Sequence, residues 1–256
     1  MVCHNKGLII GMKGTDPSGL SPLFLKGFGW TSSIEVARSM KISLLSAFLI
    51  LCLFPPSTAQ ETLSFSSALE QITSAYNVIA NYHCRTNTFE RAGNKTDEKV
   101  FDYYFMKPSC VHVEILEGRN KGSTATLKDG RVKAAMGGIF KSIKVFFRPK
   151  DKIMLSIRGG SLDRSGWGNS IETIKEQLKQ GWKTKIEEID NNTWLMELSS
   201  APASSDYLQR YYVNPETKLF NASEYYENGA LVESVNYEVI SLNSESNTIY
   251  FNNKGD

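Results

Sequence analysis

From residue 83 to the C-terminus, short runs that alternate apolar and polar residues follow one another, separated by turn residues. An alternation of period two predicts half-buried β-strands. Asp129-Gly130 and Asn228-Gly229 suit tight turns between antiparallel strands, so the runs beside them predict hairpins. We predict roughly ten consecutive antiparallel strands, at 83–91, 99–106, 110–115, 124–127, 131–135, 183–189, 193–198, 207–213, 218–226 and a run ending at 242, with further apolar-biased runs at 144–147 and 153–157.

Two segments have helical spacing instead. Apolar residues recur three or four apart in residues 66–82, which predicts an amphipathic helix with one buried stripe. A second helix is predicted from the N-cap Asn169, with Glu172 three residues later, to Gly181. One helix precedes the sheet and the other is inserted in it. The pattern therefore predicts an α+β fold in which a long curved antiparallel sheet wraps the helices, because neither element can bury its apolar face alone.

Residues 40–59 have the pattern of a cleavable signal peptide. Met40-Lys41 supplies a positive start, residues 44–54 are mostly apolar, and Ser57-Thr58-Ala59 supplies small residues before a cut at Gln60. The apolar run is shorter than the roughly 20 residues that a membrane-spanning helix needs. We interpret residues 1–39 as a leader upstream of the true start, and we expect residues 60–256 to form a single domain.

The charge of the exported part argues against a nucleic-acid partner. Residues 1–59 contain five of the 29 Lys and Arg and two of the 27 Asp and Glu, which leaves 24 basic and 25 acidic residues. Nucleic-acid-binding proteins usually carry a concentrated basic stripe, and this balance offers none.

Two cysteines remain in residues 60–256, Cys84 and Cys110, in a compartment that permits disulfides. Their predicted strands are separated by a third, which puts them about 10 Å apart at ordinary strand spacing. A disulfide needs Cα atoms within roughly 7 Å. Two buried thiols are therefore favoured, and a disulfide stays as the alternative.

Residue types give little support to catalysis or metal binding. Nucleophilic hydrolysis needs a serine or cysteine beside a histidine and a carboxylate, but both histidines of the exported part, His83 and His112, are predicted on strands. His83 and Cys84 are adjacent on a strand and point to opposite faces, which disfavours a shared metal. The glycine-rich segment 159–168 lacks the spacing and lysine of a phosphate loop, so we interpret it as a flexible edge or lid. We predict a protein that is not an enzyme and has no metal or cofactor.

The order of elements resembles the LolA/LolB/RseB lipoprotein-sorting superfamily over nearly all of residues 60–256. The resemblance rests on the first helix running into strand 82–91, on the aromatic strand Tyr103-Tyr104-Phe105-Met106 closed by Lys107-Pro108, on the Asp129-Gly130 turn, and on the late hairpins around Asn214-Pro215-Glu216-Thr217 and Asn228-Gly229. Tyr82-His83-Cys84, Phe89-Glu90-Arg91 and the glycine-rich loop are closer to a branch other than LolA itself.

The resemblance implies a half-open barrel whose apolar cavity shelters acyl chains. The residues expected to contact the ligand are Phe101, Tyr103, Phe105, Lys107, Val111, Val113, Ile115 and Trp167. Ordinary core packing explains the apolar members equally well. In LolA the basic residue before the strand-ending proline is an arginine that helps to hold the cavity closed, and Lys107 lacks its planar fork of donors.

We therefore expect a monomeric periplasmic carrier of lipid or lipoprotein, with secretion to the medium as the alternative location. The alternative function is a sensing module that recognises an envelope protein partner and carries nothing. On the carrier interpretation, Phe105→Asp should reduce uptake of an acyl probe without unfolding the protein.

Overall fold

Eleven β-strands and two α-helices make up most of the part of the chain that the computed structural model describes, residues 63–200 and 206–252. The helices are α1 (Phe65–Asn77) and α2 (Trp167–Lys179). The strands are β1 (Asn81–Ala92), β2 (Lys95–Met106), β3 (Cys110–Gly118), β4 (Thr124–Lys128), β5 (Arg131–Ala135), β6 (Lys144–Phe147), β7 (Lys183–Asp190), β8 (Thr193–Ser199), β9 (Tyr207–Val213), β10 (Phe220–Glu227) and β11 (Ala230–Leu242). The predicted leader and signal peptide, residues 1–59, lie outside the described residues.

All eleven strands belong to one antiparallel sheet, in the order β6-β5-β4-β3-β2-β1-β11-β10-β9-β8-β7. Strands that follow each other in the chain pair directly, except β6 and β7, which α2 separates. The two halves of the sheet meet at its centre, where β11 pairs with β1. Because β6 and β7 remain as edges, the sheet is open rather than closed into a complete barrel.

The sheet curves around the helices. Eleven flat strands at about 4.8 Å spacing would span roughly 48 Å, whereas a helix of 13 residues is only about 20 Å long. Nevertheless, every strand contributes at least one apolar side chain to the core cluster that contains both helices, or to the residues packed against it. The predicted α+β class, a curved antiparallel sheet forming a half-open barrel around helices, is confirmed.

Helix boundaries differ from the sequence prediction at three points. Helix α1 begins after the N-cap Ser64, whose side chain accepts a hydrogen bond from the backbone of Ser67, and it ends at Asn77 rather than at residue 82. Helix α2 begins after Gly166 rather than after Asn169. Residues 153–157 do not form a strand: a short 3-10 helix, Lys152–Met154, opens this stretch, and Met154 packs against the core whereas Ile153 is exposed.

The loop between β6 and α2 runs across the concave side of the sheet, and we call residues 148–166 the crossing segment. Met154 and Leu162 in this segment pack against the core cluster. Further along, the guanidinium of Arg158 contacts the ends of β1 and β10. The crossing segment therefore covers part of the concave face before α2 begins.

Cys84 and Cys110 lie on β1 and β3, with β2 between them, as predicted. Both are buried free thiols, and burial raises the pKa of Cys84 to about 12. A thiol with so high a pKa is protonated and unreactive near neutral pH. Among the described residues, neither helix is long and apolar enough to cross a membrane.

Candidate functional site

The concave face is set by the alternation of side chains along the central strands. Tyr82 and Cys84 of β1 are paired in register with Phe105 and Tyr103 of β2, and all four are buried toward the helices. Their chain neighbours, such as His83 and Tyr104, therefore point to the opposite, convex face. The predicted separation of His83 from Cys84 is confirmed.

Four of the eight predicted ligand contacts lie in the closed core. Tyr103, Phe105, Val111 and Trp167 are between 1% and 7% exposed. The ring of Tyr82 stacks on Trp167 with centroids 4.2 Å apart and on Phe105 at 5.1 Å. A ligand reaches these four side chains only if α2 or the crossing segment moves away from the sheet.

The packing of Phe105 also corrects the mutation expected from the sequence. A carboxylate at this position would be buried among aromatic rings without a partner, at a cost of several kcal/mol. Phe105→Asp would therefore unfold or loosen the domain, and it is unsuitable as a test of binding.

Phe101, Val113 and Ile115, by contrast, are only partly buried on the concave face. Phe101 is paired in register with Ile115, and Val113 lies beside Tyr103. These three side chains sit at the border between the closed core and the accessible part of the concave face. They are the apolar members of the predicted set that remain partly exposed in the structure.

Lys107 is placed apart from the other seven. Its Nζ donates to the backbone carbonyls of Tyr76 and Asn77 at 2.8 and 3.0 Å, and it lies 4.3 Å from the centre of the Tyr76 ring. These carbonyls end α1, where the helix dipole favours a positive charge. Lys107 thus ties the end of α1 to the end of β2.

A strip of small and β-branched side chains leads from this border to the β6 edge. Val113, Ala125, Ala134 and Val145 are neighbours in register on β3, β4, β5 and β6, and we call them the alanine strip. The first three are partly buried and Val145 is exposed. The strip crosses three strand spacings, about 14 Å, and two of its adjacent positions carry only a methyl group.

Sequence reasoning missed Ala125 and Ala134. Strand positions that face a filled core usually carry large β-branched or aromatic residues. Two alanines at inward positions of adjacent strands therefore indicate that less side-chain volume fills this part of the concave face. The sequence alone does not show that they are neighbours, because this depends on the register between β4 and β5.

Arg158 anchors the middle of the crossing segment at one end of the sheet. Its guanidinium pairs with Glu227 through Nη2 and lies 3.6 Å from Glu233, and Nη1 donates to the backbone carbonyl of Arg91 at 2.9 Å. It also lies 5.4 Å from the centre of the Tyr225 ring. One side chain thus joins the crossing segment to β1, β10 and β11.

The carboxylates around Arg158 are partly removed from water. Burial raises the pKa of Glu233, and the negative charge of Glu90 raises it further. The positive charge of Arg158 lowers it. Oε2 of Glu90 is buried and has no hydrogen-bond partner in the structure. Loss of Arg158 would therefore leave an uncompensated acidic pair at the anchor.

A second anchor holds the end of the crossing segment. The hydroxyl groups of Tyr103 and Ser165 are 2.9 Å apart, and the backbone amide of Trp167 donates to the Tyr82 hydroxyl at 3.3 Å. Between them, Gly166 has a φ of +82°, and a Cβ at this position would lie 2.5 Å from Oη of Tyr82. The glycine-rich segment is thus docked on the core at its C-terminal end, while Gly159 and Gly160 are exposed.

The convex face carries a cluster of histidines and tyrosines. His83 stacks on Tyr104 with centroids 4.0 Å apart, and His112 stacks on Tyr250 at 3.9 Å. Residues 243–252 thereby lie against the centre of the sheet. Burial lowers the pKa of His112 to about 4, so its ring is neutral at ordinary pH. The alternation that places Tyr103 inside also places Tyr104 outside, so this part of the cluster was readable in the sequence.

His83 of this cluster also lies close to a carboxylate. Nε2 of His83 and Nε of Arg85 are 3.4 and 3.2 Å from the same oxygen of Asp102. The hydroxyl of Ser241, the residue paired with His83 on β11, donates to Asn247 at 2.8 Å. That hydroxyl is therefore engaged with the C-terminal segment rather than with the imidazole.

A pocket of about 480 Å³ lies away from the alanine strip, at the ends of β8, β9 and β10. It is lined by Ser199, Ser200, Asp206, Tyr207, Leu208, Arg210, Tyr226 and Gly229. Its lining combines the charged side chains of Asp206 and Arg210 with apolar surface, including Leu208 and two tyrosines.

The sequence matches no protein-family model and no curated protein. The structure is similar to a LolA superfamily protein from Nitrosomonas europaea, with 13% identity, 69% of this chain and 92% of that chain covered, and a TM-score of 0.32. It is similar to the lipoprotein LppX from Mycobacterium tuberculosis, with 11% identity, 71% and 97% covered, and a TM-score of 0.42.

A third similarity is to the MucA/MucB complex of Pseudomonas aeruginosa, with 13% identity, 71% of this chain and 59% of that chain covered, and a TM-score of 0.42. Similarities of this size carry no argument about activity or partners. A LolA superfamily protein, as the element order led us to expect, is thus among the solved structures that this fold resembles.

Proposed function

We propose that this chain is a non-enzymatic binding protein that holds an acyl chain of a lipid or lipoprotein on its concave face. The observation that carries the proposal is the alanine strip, a row of small and β-branched apolar side chains that starts beside the closed aromatic core and ends at an open sheet edge. Acyl-chain sites need an apolar lining with few polar groups. The four side chains of the strip meet this requirement.

The crossing segment supports the proposal because it supplies apolar side chains opposite the sheet. Met154 and Leu162 point to the core from this segment, and Arg158 and Gly166 fix it at two places. Movement of a loop between two anchors changes access to the sheet without breaking the strands. We propose that the segment closes over the acyl chain and that Phe101, Val113 and Ile115 contact the end nearest to the core.

The proposed site of action is the periplasm. Residues 40–59 have the charge, apolar run and small residues of a cleavable export signal. A carrier that works outside the cytoplasm meets lipids and lipoproteins in an aqueous space, where their acyl chains need shelter from water.

One observation favours a second candidate, a protein-binding or sensing module. Tyr103, Phe105, Val111 and Trp167 are already buried by the chain itself, so much of the concave face needs no ligand. Native mass spectrometry of protein purified from its own host separates the two candidates. Co-purified lipid supports the carrier, and bare protein supports the module that recognises a protein partner.

The sharpest test adds a bulky side chain to the alanine strip. Ala134→Phe places a phenyl ring in the alanine strip, and Ala135→Phe, the matched control, places the same ring on the other face of β5. Displacing two methylene groups of a bound chain costs about 1.6 kcal/mol, which corresponds to roughly fifteenfold weaker binding. We expect this loss for Ala134→Phe in a titration with a fluorescent fatty acid, and a Kd close to that of the wild type for Ala135→Phe.

Thermal unfolding of both variants shows whether they keep the fold. Equal affinity of the two folded variants would place the ligand elsewhere. Probe binding by the wild type no stronger than by an unrelated protein would contradict the proposed function itself.

A further inference from the structure

Exposed apolar side chains are concentrated at one edge of the sheet. In the described part of the chain, thirteen large apolar side chains are exposed, and seven of them fall within residues 136–153, which we call the apolar edge. Ile139 is 90% exposed and Ile153 is 74% exposed, and Phe140, Ile143 and Phe146 lie between them. Contiguous exposed apolar surface usually marks a contact with a partner or a membrane.

The two edges of the sheet differ in composition. β7 carries Lys183, Lys185, Glu187, Glu188 and Asp190, and charges of this kind protect an edge strand from pairing with other chains. β6 has the sequence Lys-Val-Phe-Phe, and its Val145 and Phe146 are exposed. The β6 edge thus lacks the protection that β7 has.

Positive charge accompanies the exposed apolar residues. Residues 136–153 contain five lysines and arginines and one acidic residue, Asp151. Lys141, Arg148, Lys150 and Lys152 are exposed, whereas Asp151 is half-buried and accepts a hydrogen bond from the Arg148 backbone at 2.8 Å. Because the exported part as a whole is nearly neutral, this excess is local.

We propose that the apolar edge docks on the surface of an anionic phospholipid bilayer. Aliphatic and aromatic side chains that alternate with lysine and arginine suit such a surface, since the apolar groups enter the boundary between headgroups and acyl chains while the cations meet phosphates. The charge complementarity favours anionic lipid over a neutral apolar partner. This docking goes beyond the proposed function and does not depend on it, although it brings the β6 end of the alanine strip to the bilayer.

The test is flotation of the full chain with vesicles of phosphatidylglycerol and phosphatidylcholine, and with vesicles of phosphatidylcholine alone. Ile139→Asp and Phe146→Asp change exposed side chains and should leave the fold intact. Ile249→Asp is the matched control, because Ile249 is 56% exposed outside the apolar edge. All variants share residues 1–62, so differences among them report on the edge.

We expect at least tenfold weaker binding to anionic vesicles for both edge variants, wild-type binding for Ile249→Asp, and weaker binding of the wild type at high salt. Equal binding of edge variants and wild type would overturn the proposal. So would equal binding of the wild type to the two kinds of vesicle. A second copy of the chain would be the occupant instead if analytical ultracentrifugation showed a wild-type dimer that Ile139→Asp dissociates while vesicle binding stays unchanged.

Discussion

Replacement of Gly166 by alanine tests how the crossing segment is fixed to the core. Gly166 has φ +82° and ψ +176°, a conformation that is essentially restricted to glycine and costs other residues about 1–3 kcal/mol. The new Cβ would also lie 2.5 Å from Oη of Tyr82 and 2.7 Å from Oη of Tyr103. These hydroxyls must move, and loss of the hydrogen bond between Tyr103 and Ser165 adds about 1 kcal/mol.

The expected loss of stability is therefore about 2–4 kcal/mol, which lowers the Tm of a domain of this size by roughly 5–15 °C. Gly159→Ala is the matched control. Gly159 has a similar φ of +83°, but a Cβ there meets no atom within 4 Å, so only the backbone cost applies.

Differential scanning calorimetry of both variants gives the two values. We expect a clearly larger decrease in Tm for Gly166→Ala than for Gly159→Ala, and weaker binding of the acyl probe because the segment closes less firmly over the acyl chain. Equal decreases in Tm would mean that the segment is not docked on the two tyrosines, and the reasoning about the second anchor would fail.

Two further predictions concern other contacts of the sheet. Burial lowers the pKa of His112 to about 4, so between about pH 6.5 and 4 the unfolded chain binds a proton at this residue and the folded chain does not. The free energy of unfolding therefore decreases as pH falls from about 6.5 to 4, by at most about 3 kcal/mol. Urea titrations should show a flatter pH profile for His112→Gln. Lys107→Met removes the two hydrogen bonds to the end of α1 and should lower the free energy of unfolding by about 1–2 kcal/mol. Lys107→Arg keeps a charged donor, so its decrease should be smaller. Equal decreases for the two variants would show that the positive charge does not stabilise the end of α1.

Local sequence patterns were sufficient for the architecture. Alternation and turn dipeptides located the hairpins, because each strand has one buried and one exposed face and the side chains report this directly. Alternation did not locate the start of a strand where its first residues are charged or polar. β2 begins at Lys95, and its first four residues, Lys-Thr-Asp-Glu, carry no apolar alternation, so the prediction started this strand at residue 99.

Contacts between distant segments could not be predicted from one sequence. The end of α2 was assigned correctly at Gly181, but its start was misplaced because the Gly166 conformation depends on two tyrosines on other strands. Likewise, nothing near Arg158 in the sequence indicates that it meets Glu227 and Glu233.

Some of the predicted ligand contacts are buried in the core and others are partly exposed, and this difference also depends on contacts between distant segments. Alternation correctly placed Phe101, Tyr103, Phe105, Val111, Val113 and Ile115 on one face. It could not tell which of them the helices cover, since a strand pattern carries no information about what packs above it. The apolar edge was also readable as a run of Ile, Phe and Lys, although its exposure depends on where the sheet ends.

The most direct test of an acyl chain on the concave face is photo-crosslinking with a fatty acid that carries a diazirine near its methyl end. Peptide mass spectrometry then locates the labelled residues. We expect the label on the β2, β3 and β4 peptides that contain Phe101, Val113 and Ala125, with competition by unlabelled fatty acid. Label found only on the convex face, or only on residues of the apolar edge other than Val145, would contradict the account.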